Sequence, residues 1–185
     1  MKKLALVCLI MILASCTIWS QVKPGDTFGE KQGFDVQLPN GWMRFHPGVQ
    51  GYMITKDGLS IQRITIAKYS LDKAFTKSEK TLTADMLVTD VMDYYIAELQ
   101  QKNEGLTVEV EAKEPAIISG QEGFKVNVLL TAPDGLKYRL HSYGLLSRDG
   151  FYEISYEAPV IHYFSRDLPV FEKAKDSFRL ISEKQ

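Results

Sequence analysis

Three histidines, His46, His141 and His162, are the side chains best suited to moving protons or binding a metal near neutral pH. None has the i, i+4 spacing of a helical zinc pair. A two-histidine site with one carboxylate would need His141 and His162 to meet from different elements. His162-Tyr163-Phe164-Ser165-Arg166-Asp167 holds the letters of a Ser-His-Asp set. No G-x-S-x-G elbow presents a nucleophile, however, and Ser165 reads as a helix cap. Glu153 and Glu157 fall on one face of an expected strand, roughly 13 Å apart by strand rise. That is wider than the about 5–9.5 Å used by paired glycosidase carboxylates. Neither a G-x-x-x-x-G-K-[ST] loop nor a G-x-G-x-x-G fingerprint is present. These residues predict no catalytic set, no metal site and no cofactor.

The N-terminus carries a different chemistry. Met1-Lys2-Lys3 precedes an apolar run over residues 4–13, LALVCLIMIL, and the first acidic residue is Asp26. The run is too short to span a bilayer stably and suits the core of a signal peptide. Leu13-Ala14-Ser15-Cys16 then resembles the lipobox of bacterial lipoproteins. The resemblance implies diacylglycerol on the Cys16 thiol, cleavage before it and acylation of the new amine. Two or more acyl chains hold a protein on a membrane stably, whereas one holds it marginally. The competing cut, after Ser20, frees Gln21 and discards Cys16. The only other cysteine, Cys8, lies inside the signal core. A disulfide, a thiolate nucleophile and a cysteine-based metal site are excluded under either cut.

The chain has 185 residues, with 22 Lys+Arg against 23 Asp+Glu, a net charge of -1, 45% hydrophobic and 24% charged residues. This composition fits one ordinary globular domain. It counts against a multi-pass membrane protein, a disordered tail, a disulfide scaffold and nucleic-acid binding through bulk positive charge. The expected organisation is a lipoprotein-type signal over residues 1–15, a tether over 16–33 and a single domain over 34–182.

Residues 34–38 alternate apolar and polar as a strand, Pro39-Asn40-Gly41 turns, and the chain returns from Trp42. Asp57-Gly58 between apolar runs predicts a tight hairpin, with a bulge near Gln62-Arg63. Leu87, Val91, Tyr95 and Leu99 then recur at helical spacing. With Thr83 as cap and Gly105 as stop, they predict a helix of about 20 residues over 84–102. A meander follows, with turns at 120–123, Pro133-Asp134-Gly135 and Asp149-Gly150, then a terminal helix containing Pro169. The fold class expected is α+β, an antiparallel sheet with helices packed on it.

A two-residue Asp149-Gly150 loop sets Tyr143 opposite Tyr156, and an even loop at 132–135 puts Phe124, Val126 and Val128 on the same core face. The opposite face then gathers Lys125, Asn127, Ser142, Gly144, Glu153, Ser155 and Glu157. Asn127, Ser142, Glu153 and Glu157 are the candidate binding residues there. The plainer account is a sheet face partly covered by the terminal helix and otherwise wet.

Phe34-Asp35-Val36-Gln37-Leu38-Pro39-Asn40-Gly41-Trp42 resembles the strand-Leu-Pro-x-Gly-Trp opening of PsbP-like proteins. The Asp57-Gly58 hairpin, the long helix, Gly123-Phe124-Lys125-Val126 and the closing Asp176-Ser177-Phe178-Arg179-Leu180 continue the likeness in order. The resemblance implies an α/β/α arrangement, a central antiparallel sheet with helices on both sides. Its bacterial members are often exported or lipid-anchored. The group includes a photosystem subunit and a nuclear-transport factor, both of which act by binding partners, but no functional residue of either carries over. The lack of a plant-type targeting segment speaks against the photosystem role. The expectation is a non-enzymatic, lipid-anchored protein of the bacterial envelope, on the periplasmic side, that binds another envelope protein. A small-ligand carrier with its pocket between the long helix and the sheet is the alternative, and a hydrolase built on His141 and His162 the third.

The two cleavage readings differ in mass. The mature protein is expected to begin at Cys16 and carry acyl chains. An intact mass matching an unmodified chain from Gln21 would reject the anchor.

Overall fold

The computed structural model describes residues 18–45 and 51–181; Cys8, Cys16 and His46 lie outside them. Six short strands come first: β1 (Trp19–Gln21), β2 (Thr27–Phe28), β3 (Phe34–Gln37), β4 (Met43–Phe45), β5 (Gly51–Thr55) and β6 (Arg63–Tyr69). The helix α1 (Val88–Lys102) follows. Four long strands form the meander: β7 (Thr107–Ile118), β8 (Gln121–Thr131), β9 (Lys137–Ser147) and β10 (Gly150–Pro159). The helix α2 (Ser165–Ser177) and β11 (Arg179–Leu180) close the chain. One antiparallel sheet of eight strands runs β1-β4-β5-β6-β10-β9-β8-β7, and a second of three runs β11-β3-β2.

The fold is α+β and dominated by its sheet. The expected balanced α/β/α sandwich is corrected to one helix per face, with the small sheet sharing the α2 side. On the α1 face, Val91, Met92, Tyr95 and Leu99 pack on Phe124, Val126, Val128, Leu130, Leu140 and Phe151. On the other, Phe171 and Phe178 pack with Phe34, Tyr143, Leu145, Tyr152, Ile154 and Tyr156.

The register departs from the expected one at two turns. Ser147 pairs with Gly150, so Arg148-Asp149 is the turn, Tyr143 faces Ile154, and Tyr156 faces His141 rather than Tyr143. More consequentially, Ala132 N–H donates to Leu136 O (2.8 Å) and Gly135 N–H to Ala132 O (2.9 Å), with Gly135 at φ 87°. The loop is therefore three residues, Pro133-Asp134-Gly135, a turn closed by a left-handed glycine. An odd loop inverts the parity of the next strand. Phe124, Val126 and Val128 pair with Gly144, Ser142 and Leu140, and so share a face with them instead of with Tyr143.

Other expectations shift as well. The helix starts at Val88, with Leu87 before it and no side-chain cap, because Thr83 to Met86 closes a separate turn. Ser165 is likewise the first residue of α2 rather than its cap. The hairpin between β5 and β6 has a long loop around Asp57-Gly58, and the bulge lies at Val110/Ala112 in β7. β4 joins the large sheet, leaving β3 to the small one. β1 and β2 fall within the residues expected to be tether, and β1 pairs with β4 through Trp19↔Phe45, Ser20↔Arg44 and Gln21↔Met43.

Gly144 illustrates how closely the α1 face is packed. A Cβ built there would overlap the ring of Phe124, which is buried between Tyr95 and Phe151. Gly144→Ala is expected to destabilise the protein by roughly 1–3 kcal/mol through overpacking. Urea melts should show a partial recovery when Phe124→Leu is added, and no recovery would place the cost elsewhere.

Candidate functional site

The sheet pairing brings three of the four candidate residues together. Ser142 lies opposite Ser155, and Glu153 and Glu157 occupy the same face of β10. Asn127 is separated from them: it pairs with His141 and points to the α2 side, its buried Oδ1 without a hydrogen-bond partner among the described residues. The face carrying Ser142, Glu153 and Glu157 is covered by the long helix, not by the terminal one, so it is neither wet nor shallow at its centre.

Glu153 is the hub of this face. Its carboxylate accepts from the Tyr95 hydroxyl (3.0 Å), the Ser155 hydroxyl (3.1 Å) and the Tyr69 hydroxyl (3.4 Å). Burial, and then the Glu153 charge, push both phenols far above their ordinary range. They therefore act as fixed donors across the working pH range. Ser142 is fully buried beside the Tyr95 phenol. Glu157 accepts from Arg63 at 2.6 Å. Burial raises its carboxyl above the usual carboxylate range, Arg63 works against this, and Glu153 adds to it.

Where α1 ends, the helix and sheet leave a cleft of ≈ 340 Å³. Its sheet wall is Arg63, Thr65, Glu153, Ser155 and Glu157, and its helix wall is Leu99, Lys102 and Asn103. Asn103 Nδ2 donates to Leu99 O at 2.8 Å and closes the last turn, which fixes this wall. Beside the cleft sits Glu98, a residue that sequence reasoning missed. It is 1% exposed and accepts from Ser78 N–H (2.7 Å), Ser78 Oγ (2.9 Å) and Lys77 N–H (3.2 Å), with Lys102 at 3.4 Å. Burial alone would raise its carboxyl, but these donors and Lys102 outweigh it and hold it below the usual range. The signal was present: Glu98 falls three residues after Tyr95 and seven after Val91, on the apolar stripe.

His141 and His162 each take other partners. His141, on the α2 face, has Nε2 at 3.3 Å from both the Tyr143 hydroxyl and Glu172. Burial, with Lys125 and Lys175 nearby, pushes it down to about 4. The Glu172 contact is thus that of a neutral ring, and Tyr143 donates to the same carboxylate at 3.2 Å. His162 sits at φ 71° with Nε2 3.3 Å from Arg166 and its ring against Tyr163. Neither histidine has the other among its partners. Among the described residues there is no group of three or more metal-ligating side chains, and no helix is long and apolar enough to cross a membrane.

A raised carboxyl means that the folded state keeps the Glu157 proton after the unfolded chain has lost it. Stability from this group is therefore largest at or below the ordinary glutamate range and falls as pH rises through the raised value. Glu157→Gln keeps an acceptor for Arg63 and is expected to flatten this decline in urea melts taken across the pH range. Parallel profiles for the two proteins would contradict the assignment.

No family model matches the sequence, and no curated protein matches it. Solved structures match the fold. Cyanobacterial PsbP (CyanoP) from Synechocystis sp. PCC 6803 is similar over 90% of this chain and 95% of its own, with a TM-score of 0.59 and 13% identity. A variant of the protein Mog1 is similar over 88% of this chain and 96% of its own, with a TM-score of 0.52 and 9% identity. At such identities the likeness concerns the backbone arrangement alone. The chain thus shares its fold with cyanobacterial PsbP.

Proposed function

We propose that this is a non-enzymatic domain of the bacterial cell envelope, anchored on the periplasmic side by lipid on Cys16, that works by binding another envelope protein. The observation that carries the binding role is an apolar groove at the β7 edge. Leu87 is 68% exposed and Ile117 69%, and with Val88, Pro115 and Ala116 they line a groove of ≈ 520 Å³. Large apolar side chains gathered in water mark an interaction surface more often than scattered ones do. A non-catalytic role is supported by how the polar groups are used. Glu153 is engaged by three hydroxyls, Glu157 by Arg63, His141 by Tyr143 and Glu172, and His162 by Arg166.

The anchor reading draws support from β1. A cut before Gln21 would remove Trp19 and Ser20, two of the three residues that pair with β4. A cut before Cys16 leaves the strand whole.

The cleft at the end of α1 favours one second reading, a carrier for a small polar molecule. It has the size of a ligand site, and exposed parts of Arg63 and Lys102 stand on its two walls.

A photo-crosslinking residue at Ile117 is expected to give a discrete adduct in intact cells, and one at the exposed Glu104 none. Leu87→Glu in the same chain should abolish the adduct. The same pattern from both positions, or no adduct from Ile117, would reject the groove as the binding surface.

A further inference from the structure

At the other edge of the large sheet, Trp19 lies opposite Phe45, Phe45 opposite Met53, and Gln21 opposite Met43. Residues two apart on a strand share a face, so Trp19, Met43, Phe45 and Met53 form one strip across β1, β4 and β5. Met53 faces Thr65, which faces Ser155, so the strip lies on the same side of the sheet as α1. That helix packs over β7, β8 and β9, at the far end. All four side chains are partly exposed and belong to neither hydrophobic core. The Trp19 and Phe45 rings lie 4.9 Å apart, and Ile18 beside them is 53% exposed.

Only Thr17 and Ile18 separate Cys16 from Trp19. Three Cα–Cα steps cover at most about 11 Å. The polar zone on each side of a bilayer is itself roughly 5–8 Å deep. A lipid on Cys16 therefore holds Trp19, at the border of this strip, close to the membrane surface. We propose that the strip formed by Trp19, Met43, Phe45 and Met53 docks on the lipid surface, so that the domain lies against the bilayer instead of swinging from a tether. The proposal rests on the lipidation of Cys16. Tryptophan favours the membrane–water boundary, since its ring is apolar and its N–H needs a polar partner. Methionine adapts its shape to irregular apolar surroundings. The short link makes docking effectively intramolecular, so even a weak preference for lipid keeps the strip engaged.

The test uses protein purified from membranes after expression with its own leader. Its intact mass is measured, and it is then reconstituted into vesicles of phosphatidylethanolamine and phosphatidylglycerol, with plain or chain-brominated acyl groups. The two tryptophans are distinguishable, because Trp42 is 4% exposed within the core. Brominated lipid is expected to remove the Trp19 share of the emission, and Trp19→Phe to remove the quenchable component and leave Trp42 bright. Emission equal in both lipids from a protein whose mass includes the acyl chains overturns the docking and leaves the anchor standing. Trp19 shielded from acrylamide yet untouched by bromine means that protein, a partner or a second copy, covers the strip, and also overturns it. A mass without acyl chains overturns the anchor and the docking together.

Discussion

The pairing of β8 with β9 decides what each helix covers. The three residues Pro133-Asp134-Gly135 make the loop odd, and every side chain of β8 therefore takes the face it has. Phe124, Val126 and Val128 join Leu140 and Phe151 under α1, while Lys125 and Asn127 turn to the α2 side. Adding one residue to this loop would exchange the two sets, turning Phe124, Val126 and Val128 to the α2 side and bringing Lys125 and Asn127 under α1. The absence of a Cβ at Gly144 belongs to the same constraint, since the Phe124 ring occupies that space.

The two faces are held by different means. Under α1, Phe75, Tyr95, Phe124 and Phe151 form a cluster of rings with centroids 5.0–6.1 Å apart. Each such pair adds about 0.5–1.5 kcal/mol beyond its buried area. The polar end of that cluster is tied to the sheet through Tyr95 and Glu153, and Glu98 pins the preceding segment at Lys77 and Ser78. Under α2, Tyr156 stacks between Phe164 and Phe171 and donates its hydroxyl to buried Gln62 at 3.0 Å. Asp167 at the first turn of α2 is buried beside Arg166, which also reaches Asp57. A carboxylate there suits the helix dipole.

Long periodic segments were legible in the sequence, and short ones were not. The end of α1 and the strands β8, β9 and β10 follow from apolar spacing, and the grouping of Ser142 with Glu153 and Glu157 from the even turn between β9 and β10. The parity of the 132–136 turn does not, because Pro-Asp-Gly suits loops of several lengths and only the hydrogen bonds choose one. β1 has three residues, too few for alternation to stand out from a polar lead-in; its pairing with β4 is a tertiary contact. Thr83 and Asp85 look like a helix start, yet a local turn ending at Met86 uses them first. The place of Asn127 was misread for the same reason as Phe124. Glu98 was readable as a charge on an apolar stripe, but its partners, Lys77 and Ser78, come from a segment with no periodic signal.

The strand order has a metric consequence. β1 and β7 are opposite borders of the same sheet, seven interstrand steps apart, which is up to about 34 Å at the usual 4.7–4.9 Å per step. With the β1 border lying face-down on lipid, Leu87 and Ile117 would be held at a set lateral distance from the docked strands. The sheet would then act as a spacer, keeping the groove clear of the strands that the lipid occupies.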